Sequence, residues 1–358
     1  MACGPRGCSP AGGRRRPPAG RRRRGGGGAA GWRRALAAAG LAAAWAGGAL
    51  LGAAEGHSEK VLGPGYDGQL ATDNGKCDLA YVLFHVDRDA RRPHAASHKM
   101  IPPCLRSIEA AAPGCPIVLL TDEHTQFSGL PAAAEVARVR GINYSKDGHG
   151  TSHTKAMSGA LPVSVNHVAV IDTDILLVHP LDEVFRHRFE IGVTYRERPR
   201  DMPINSGVVF FHKDAVRQKG AQFMNWLMDL KITGRAKTIT NRQAREWYGA
   251  QHMLWEAMKG NPTKDTIPPR TYLATKGKAV RAGYKVMMFP CDVYNGKARV
   301  RKPGTADECL WAGRTDDKPR LWHFKGGRKK DFYRFADLLF GQAKPFCTWH
   351  DPEWEGKV

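Results

Sequence analysis

The run Val168-Ala169-Val170-Ile171 constrains this chain more than any other stretch: it is wholly apolar and closes on two acids, Asp172 and Asp174. Continuous β-branched residues over this length predict a strand buried on both faces, the setting of a parallel sheet covered by helices. Carboxylates at the carboxyl end of such a strand lie on the edge where open α/β sheets bind ligands. Two of them one residue apart repel each other and resist burial, so a cation or a basic group has to accompany them. A helix cap or a strand-end ion pair is the plain structural alternative.

The same pattern occurs upstream. "LAYVLFHVD" (Leu79–Asp87) and "PIVLLTD" (Pro116–Asp122) are apolar runs that end in an acid, with a helix expected between them around "PPCLRSIEAAAP". "AAAEVARVRG" leads into a third, short strand, and a helix is expected near 154–161. Strands alternating with helices predict an α/β fold with a mostly parallel sheet flanked by helices. Asp87, Asp122, Asp172 and Asp174 are then expected along one sheet edge, more acid than a structural edge needs. Further on, "FEIGVTY", "INSGVVFFHKDAV" and "YKVMMFP" read as strands. "AQFMNWLMDL" and "YGAQHMLWEAM" read as amphipathic helices whose Met and Trp side chains belong to the core.

A basic, glycine-rich turn, "HFKGGRK" (His323–Lys329), supplies what the acids need. Its glycines let the backbone approach an anion, and Lys325, Arg328, Lys329 and Lys330 offer cationic donors for phosphate. Two carboxylates, one imidazole and diphosphate oxygens make a mixed oxygen and nitrogen shell suited to Mn²⁺ and secondarily to Mg²⁺. An ordinary basic surface turn is the alternative.

Three pieces in this order, Asp172-Thr173-Asp174, Asn205-Ser206-Gly207, and His323 with Gly326 and Lys329, resemble the glycogenin-like, family-eight retaining glycosyltransferases. "FPCDVYN" (Phe289–Asn295) is similar to the stretch that precedes that family's last motif, and the resemblance covers roughly residues 77–335. It implies a GT-A fold, a Rossmann-like sheet that binds a nucleotide-diphospho-sugar, a UDP-sugar first among them. It implies that Asp172, Asp174 and His323 hold the divalent ion. By the same resemblance Asp87, Lys155, Thr173, Ser206, Gly326 and Lys329 bind the donor. Asn205 and Gln251 would serve the attacked face, and a hexose or pentose would pass to a hydroxyl of a glycan, glycoprotein or glycolipid with retention. The sequence departs from the family's pattern at Ala250, where an Asp is usual, and at Lys330-Asp331, where Pro-Trp is frequent. Two rivals remain open at this level. One is a phosphatase of the haloacid-dehalogenase type, with Asp172 as nucleophile; the other is a lumenal sugar- or nucleotide-binding protein without catalysis.

Charge places the chain in the cell. The net charge of +21 looks like a nucleic-acid signal, but residues 1–34 hold ten Arg and no acid, which leaves +11 over the other 324 residues. That Gly/Pro/Arg-rich leader cannot form a core and is expected to be a disordered cytosolic tail rather than a nucleic-acid arm. Ala35–Ala54 runs twenty residues without a charge, with Arg33 and Arg34 before it and Glu55 after. This length spans a bilayer, and the flanking charge predicts a signal anchor with its amino terminus in the cytosol. Cleavage after Ala54 is the competing reading, and an organellar transit peptide a third. The expected order is then tail (1–34), anchor (35–54), stem (55–76), catalytic domain (77–340) and C-terminal tail (341–358). That order is expected of a type II protein of the Golgi or ER membrane with its catalytic domain lumenal, or of a secreted protein if the signal is cleaved. Six cysteines lie in the body, none in a C-x-x-C pair, so a zinc site has little support while disulfides are allowed.

Overall fold

The computed structural model describes residues 58–62, 77–87, 96–144, 152–157, 165–196, 203–212, 220–233, 251, 254–258, 262–264, 271–301, 309–311 and 319–340. The expected tail, anchor and C-terminal segment lie outside the described residues; among these no helix is long and apolar enough to cross a membrane.

In chain order the strands are β1 (Ser58–Leu62), β2 (Leu79–Phe84), β3 (Ile117–Thr121), β4 (Ala134–Val139), β5 (His167–Ile171), β6 (Ile175–Leu177), β7 (Ile191–Tyr195) and β8 (Ile204–Phe211). They continue with β9 (Pro262–Lys264), β10 (Tyr272–Ala274), β11 (Val286–Pro290), β12 (Gly296–Lys297), β13 (Arg299–Arg301), β14 (Cys309–Trp311) and β15 (Leu321–His323). Ten of them form one sheet in the order β1-β4-β3-β2-β5-β8-β7-β11-β10-β9. The fold is α/β, as the alternating pattern predicts.

The sheet is less parallel than expected. From β1 to β5 every pairing is parallel, but β8 runs antiparallel to both β5 and β7, and β10 runs antiparallel to β9 and β11. The short 196–203 connection between β7 and β8 explains the reversal: a parallel return needs a crossover of a dozen residues or more. Within the segment expected as a stem, Ser58–Leu62 is an edge strand of the sheet and Glu59 forms an ion pair with Arg138 of β4.

Both faces of the parallel half are buried, as the unbroken apolar runs require. Ala80, Val82 and Phe84 of β2 join one core cluster with Val168 and Val170, while Leu79, Tyr81 and Leu83 join the other with Ala169 and Ile171. Helix α2 (Ile101–Ala111) begins with two prolines in its first turn, where their missing N–H groups cost nothing. Its Ile101, Cys104, Leu105 and Ile108 are buried in the second cluster. Each such aliphatic side chain contributes about 1.5–3 kcal/mol. Ser107 ties the helix to β6: its hydroxyl donates to Cys104 O and accepts from the Leu177 amide.

A disulfide joins Cys77, at the start of β2, to Cys115, in the turn before β3, with Cα atoms 4.9 Å apart. Cys104 and Cys291 are free and buried, and burial pushes both thiols above their ordinary range.

A small sheet of β12, β15 and β6 positions the chemistry. β15 lies antiparallel to β6, with His323 opposite Ile175, and the Phe324 amide donates to Asp174 O at 2.9 Å. The last strand thereby sets its histidine beside the acids that follow β5.

Candidate metal centre

Three chain segments meet beyond the carboxyl end of β5. The turn after β5 contributes Asp172 and Asp174, β15 contributes His323, and β8 contributes Gly207, whose carbonyl accepts from the Asp172 amide at 2.9 Å. His323 Nε2 lies 3.0 Å from Asp174 Oδ1 and 3.5 Å from Asp172 Oδ2, so one ligand atom from each of the three residues falls within 4.8 Å of the others. Lys329 brings its Nζ to 3.0 Å from Asp174 Oδ2.

Gly207 is there because nothing larger fits. A Cβ on it would lie 2.6 Å from His323 Nδ1 and 2.8 Å from Asp172 Oδ2. What lies closest to it is the His323 imidazole.

The proton on His323 is settled by a chain of hydrogen bonds that can run in one direction only. The Asn205 carbonyl accepts, so the Thr194 hydroxyl donates to it at 2.8 Å. Thr194 Oγ1 is then an acceptor for Asn295, whose Nδ2 donates to it at 2.7 Å. That fixes the Asn295 carboxamide with Oδ1 toward His323, 2.6 Å from Nδ1, which has to carry the hydrogen. In that tautomer Nε2 presents a lone pair to the two carboxylates, whereas the other tautomer donates from Nε2 to Asp174 Oδ1 at 3.0 Å. A lone pair facing anions is unfavourable unless a cation lies between them, and such a site fits a divalent metal. Burial, with Lys325 nearby, lowers the His323 pKa and favours the neutral ring a metal ligand has to be.

The acids differ. Burial alone would raise Asp174, but His323 and the Lys329 ammonium more than offset it and hold its carboxyl well below the usual range. Burial and the neighbouring Asp174 charge raise Asp172. Lys325 is lowered by burial to about 8.

The other candidate residues are placed as follows. Thr173 is half-buried between the two aspartates, and Ser206 is half-buried on β8 beside Gly207. Gly326 is exposed with φ of 57°, open space around it, and begins the 3₁₀ turn Gly326–Asp331 that carries Lys329. Asn205 is buried, and its Oδ1 accepts from the Gly207 amide at 3.1 Å, so its side chain shapes β8. Gln251 is half-buried and makes no hydrogen bond to the cluster among the described residues, and Lys155 is exposed in the helical stretch 152–157.

The four acids do not gather as one group. Asp122 Oδ1 accepts from the amides of His124 (3.2 Å) and Thr125 (2.7 Å) and caps its own turn. Asp87 forms a separate cluster with two histidines: its Oδ1 is 3.2 Å from His85 Nε2 and its Oδ2 is 3.3 Å from His98 Nδ1. Burial would raise Asp87, but the two imidazoles outweigh it and lower the pKa.

Sequence reasoning missed Asn295 as a functional residue. The signal available was its place in "FPCDVYN", at the end of the turn Cys291–Tyr294 that leads into β12; Lys297 of β12 pairs with His323.

No protein-family model matches the chain, and no curated protein is significantly similar to it. Three solved structures illustrate what it is similar to. A glycosyltransferase involved in glycosylation of the major capsid of PBCV-1 shares 10% identity over 73% of this chain and 98% of its own, with a TM-score of 0.39. The galactosyltransferase LgtC, solved with donor and acceptor sugar analogs, shares 13% identity over 78% of this chain and 100% of its own, with a TM-score of 0.41. The glycosyltransferase GlyE of Streptococcus pneumoniae TIGR4 shares 14% identity over 49% of this chain and 42% of its own, with a TM-score of 0.34. Similarity at this level fixes neither activity nor substrate.

Proposed function

We propose that the chain is a metal-dependent glycosyltransferase of the GT-A type. It transfers a hexose or pentose from a nucleotide-diphospho-sugar, a UDP-sugar first among them, to a hydroxyl of a glycan, glycoprotein or glycolipid. The observation that carries the reading is the convergence of Asp172, Asp174, His323 and Lys329 at one sheet edge, with His323 Nε2 3.0 Å from one carboxylate and 3.5 Å from the other.

The residues answer the needs of one reaction class. A nucleoside diphosphate leaving an anomeric carbon gathers negative charge, and groups that bind this charge more tightly as it grows lower the barrier. A bound Mn²⁺ or Mg²⁺ would supply Lewis-acid neutralisation of the diphosphate oxygens. Asp172, Asp174 and His323 are the residues to hold it. Lys329, a third exposed on its side chain, and Lys325 are positioned to take phosphate oxygens, and Gly326 leaves the backbone open to them. Since the Asn205 amide oxygen already accepts from Gly207, Gln251 is the better candidate of the two for the front face of the anomeric carbon. Retention rests on the resemblance to family-eight enzymes alone. The Cys77–Cys115 disulfide supports an oxidising lumen for the catalytic domain, with 35–54 as the type II anchor in the Golgi or ER membrane.

The test is a panel of nucleotide-sugars on the full-length chain, with and without Mn²⁺, read by thermal shift and by release of nucleoside diphosphate. One donor is expected to stabilise the protein only with metal and to be turned over, and Asp174→Asn is expected to abolish both effects. No stabilisation by any nucleotide-sugar, or orthophosphate release from a sugar phosphate instead, would overturn the reading.

A further inference from the structure

The cluster at the end of β2 stands apart from the Asp172 site, and its composition differs from that site's. Two imidazoles flank one carboxylate, with His85 and His98 both buried and the Asp87 side chain nearly so. From this geometry we infer that His85, Asp87 and His98 form a second metal site, one that takes a borderline transition ion of the Zn²⁺ or Co²⁺ class.

Three observations carry the inference. The first is spacing. Charge-assisted hydrogen bonds between nitrogen and carboxylate oxygen run about 2.7–2.9 Å. The distances here are 3.2 and 3.3 Å, and one ligand atom from each residue falls within 4.8 Å of the others. The two nitrogens approach different oxygens of the one carboxylate, an arrangement in which a single ion can take all three side chains. The second is ligand chemistry. Two nitrogens and one oxygen favour zinc or cobalt, whereas the oxygen-rich Asp172 site favours manganese or magnesium.

The third is the scaffold around the ligands. The Asp87 amide donates to Thr125 Oγ1 at 3.0 Å, and the Thr125 amide donates to Asp122 Oδ1 at 2.7 Å. The His98 ring stacks on Phe127 with centroids 5.4 Å apart and planes 12° from parallel, and His85 meets His98 edge-on at 5.6 Å. One loop after β3 therefore fixes all three ligands, the kind of outer support that metal-binding side chains require. An ion held there would join the end of β2 to α1 (Ala96–Lys99), the helix that carries His98.

The inference does not depend on the transferase reading, and its readout is metal content rather than turnover. Metal-stripped full-length protein is titrated with Co²⁺, and the bound ion is followed by visible absorption and elemental analysis. Two equivalents are expected in the wild type, one of them with the intense visible bands of four-coordinate cobalt. His98→Gln is expected to lose that equivalent and its bands, with His85→Gln as the second variant if the first fails to fold. Asp174→Asn is expected to lose the other equivalent. A wild type without the four-coordinate bands, or a folded His98→Gln or His85→Gln chain that keeps them, would overturn the inference. The wild-type spectrum decides the matter even if neither histidine variant folds.

Discussion

Thr194→Val tests the hydrogen-bond chain that sets the His323 tautomer. Valine nearly preserves the shape of threonine, so the substitution removes one hydroxyl from a fully buried position, and with it the bonds to Asn205 O and from Asn295. Asn295 Nδ2 then loses the acceptor it holds at 2.7 Å. An unsatisfied buried donor costs about 1–3 kcal/mol of stability. The larger consequence is directional. Without Thr194 nothing orients the Asn295 carboxamide, and a half-turn presents Nδ2 to His323 Nδ1. The imidazole proton then moves to Nε2, which faces Asp172 and Asp174 as a donor and cannot bind a metal. Losing an outer partner of a metal-binding histidine lowers affinity about 10–100-fold, about 1.4–2.7 kcal/mol. The assay is the dissociation constant for Mn²⁺, from the paramagnetic resonance signal of the free ion, in wild type, Thr194→Val, Thr194→Ser and Asn295→Asp. Serine restores the hydroxyl, and aspartate keeps an acceptor at Nδ1, so both are expected to stay within a few-fold of wild type. A natively folded Thr194→Val chain that binds Mn²⁺ within twofold of wild type would refute the argument.

Other outcomes follow from the same geometry. Gly207→Ala forces His323 and Asp172 apart, since the new Cβ would lie 2.6 Å from Nδ1 and 2.8 Å from Oδ2. An overpacking cost of about 1–3 kcal/mol in chemical denaturation and loss of Mn²⁺ binding are expected. Lys329→Met removes the ammonium 3.0 Å from Asp174; nucleoside diphosphate affinity is expected to fall about 10–100-fold by calorimetry, in line with about 1.5–3 kcal/mol for a charged hydrogen bond. The thiols of Cys104 and Cys291 are raised by burial, so the unfolded chain releases their protons first. Their contribution to stability is full below the ordinary thiol pKa of about 8.5 and is lost as pH rises beyond it. Both are expected to resist iodoacetamide in the folded protein at pH 8.5 and to react in denaturant, as read by mass spectrometry.

How much of this could be read from the chain depends on the distance over which each residue acts. The strand ending at Ile171 was legible because its neighbours alone make it apolar on both faces. The basic turn after His323 was legible for a similar reason, as its glycines and lysines sit side by side. The direction of β8 was not, since the alternation of side chains is the same whichever way a strand runs; only the short connection from β7 hinted at it. Asp122 looked like Asp87 and Asp172 because a strand-terminal acid reads alike whether it caps a turn or meets a ligand. Asn295 was hidden most deeply. Its role depends on which way an amide points, and that is decided by Thr194 and Asn205, which are about 90–100 positions away along the chain. The histidines around Asp87 were in plain view as H-x-D followed by His98, but "LAYVLFHVD" gave no reason to set their imidazoles against one carboxylate.

The pairing of β15 with β6 has a consequence for how the molecule is made. The approach of His323 to Asp172 and Asp174 closes only when residue 323 returns to residue 175, so a ribosome must deliver β15 long after the two acids before this cluster can form. A chain cut short ahead of that strand would retain the larger sheet's sequence yet lack its imidazole. If the cluster holds manganese as proposed, retention of that ion reports that β15 was made and docked in register.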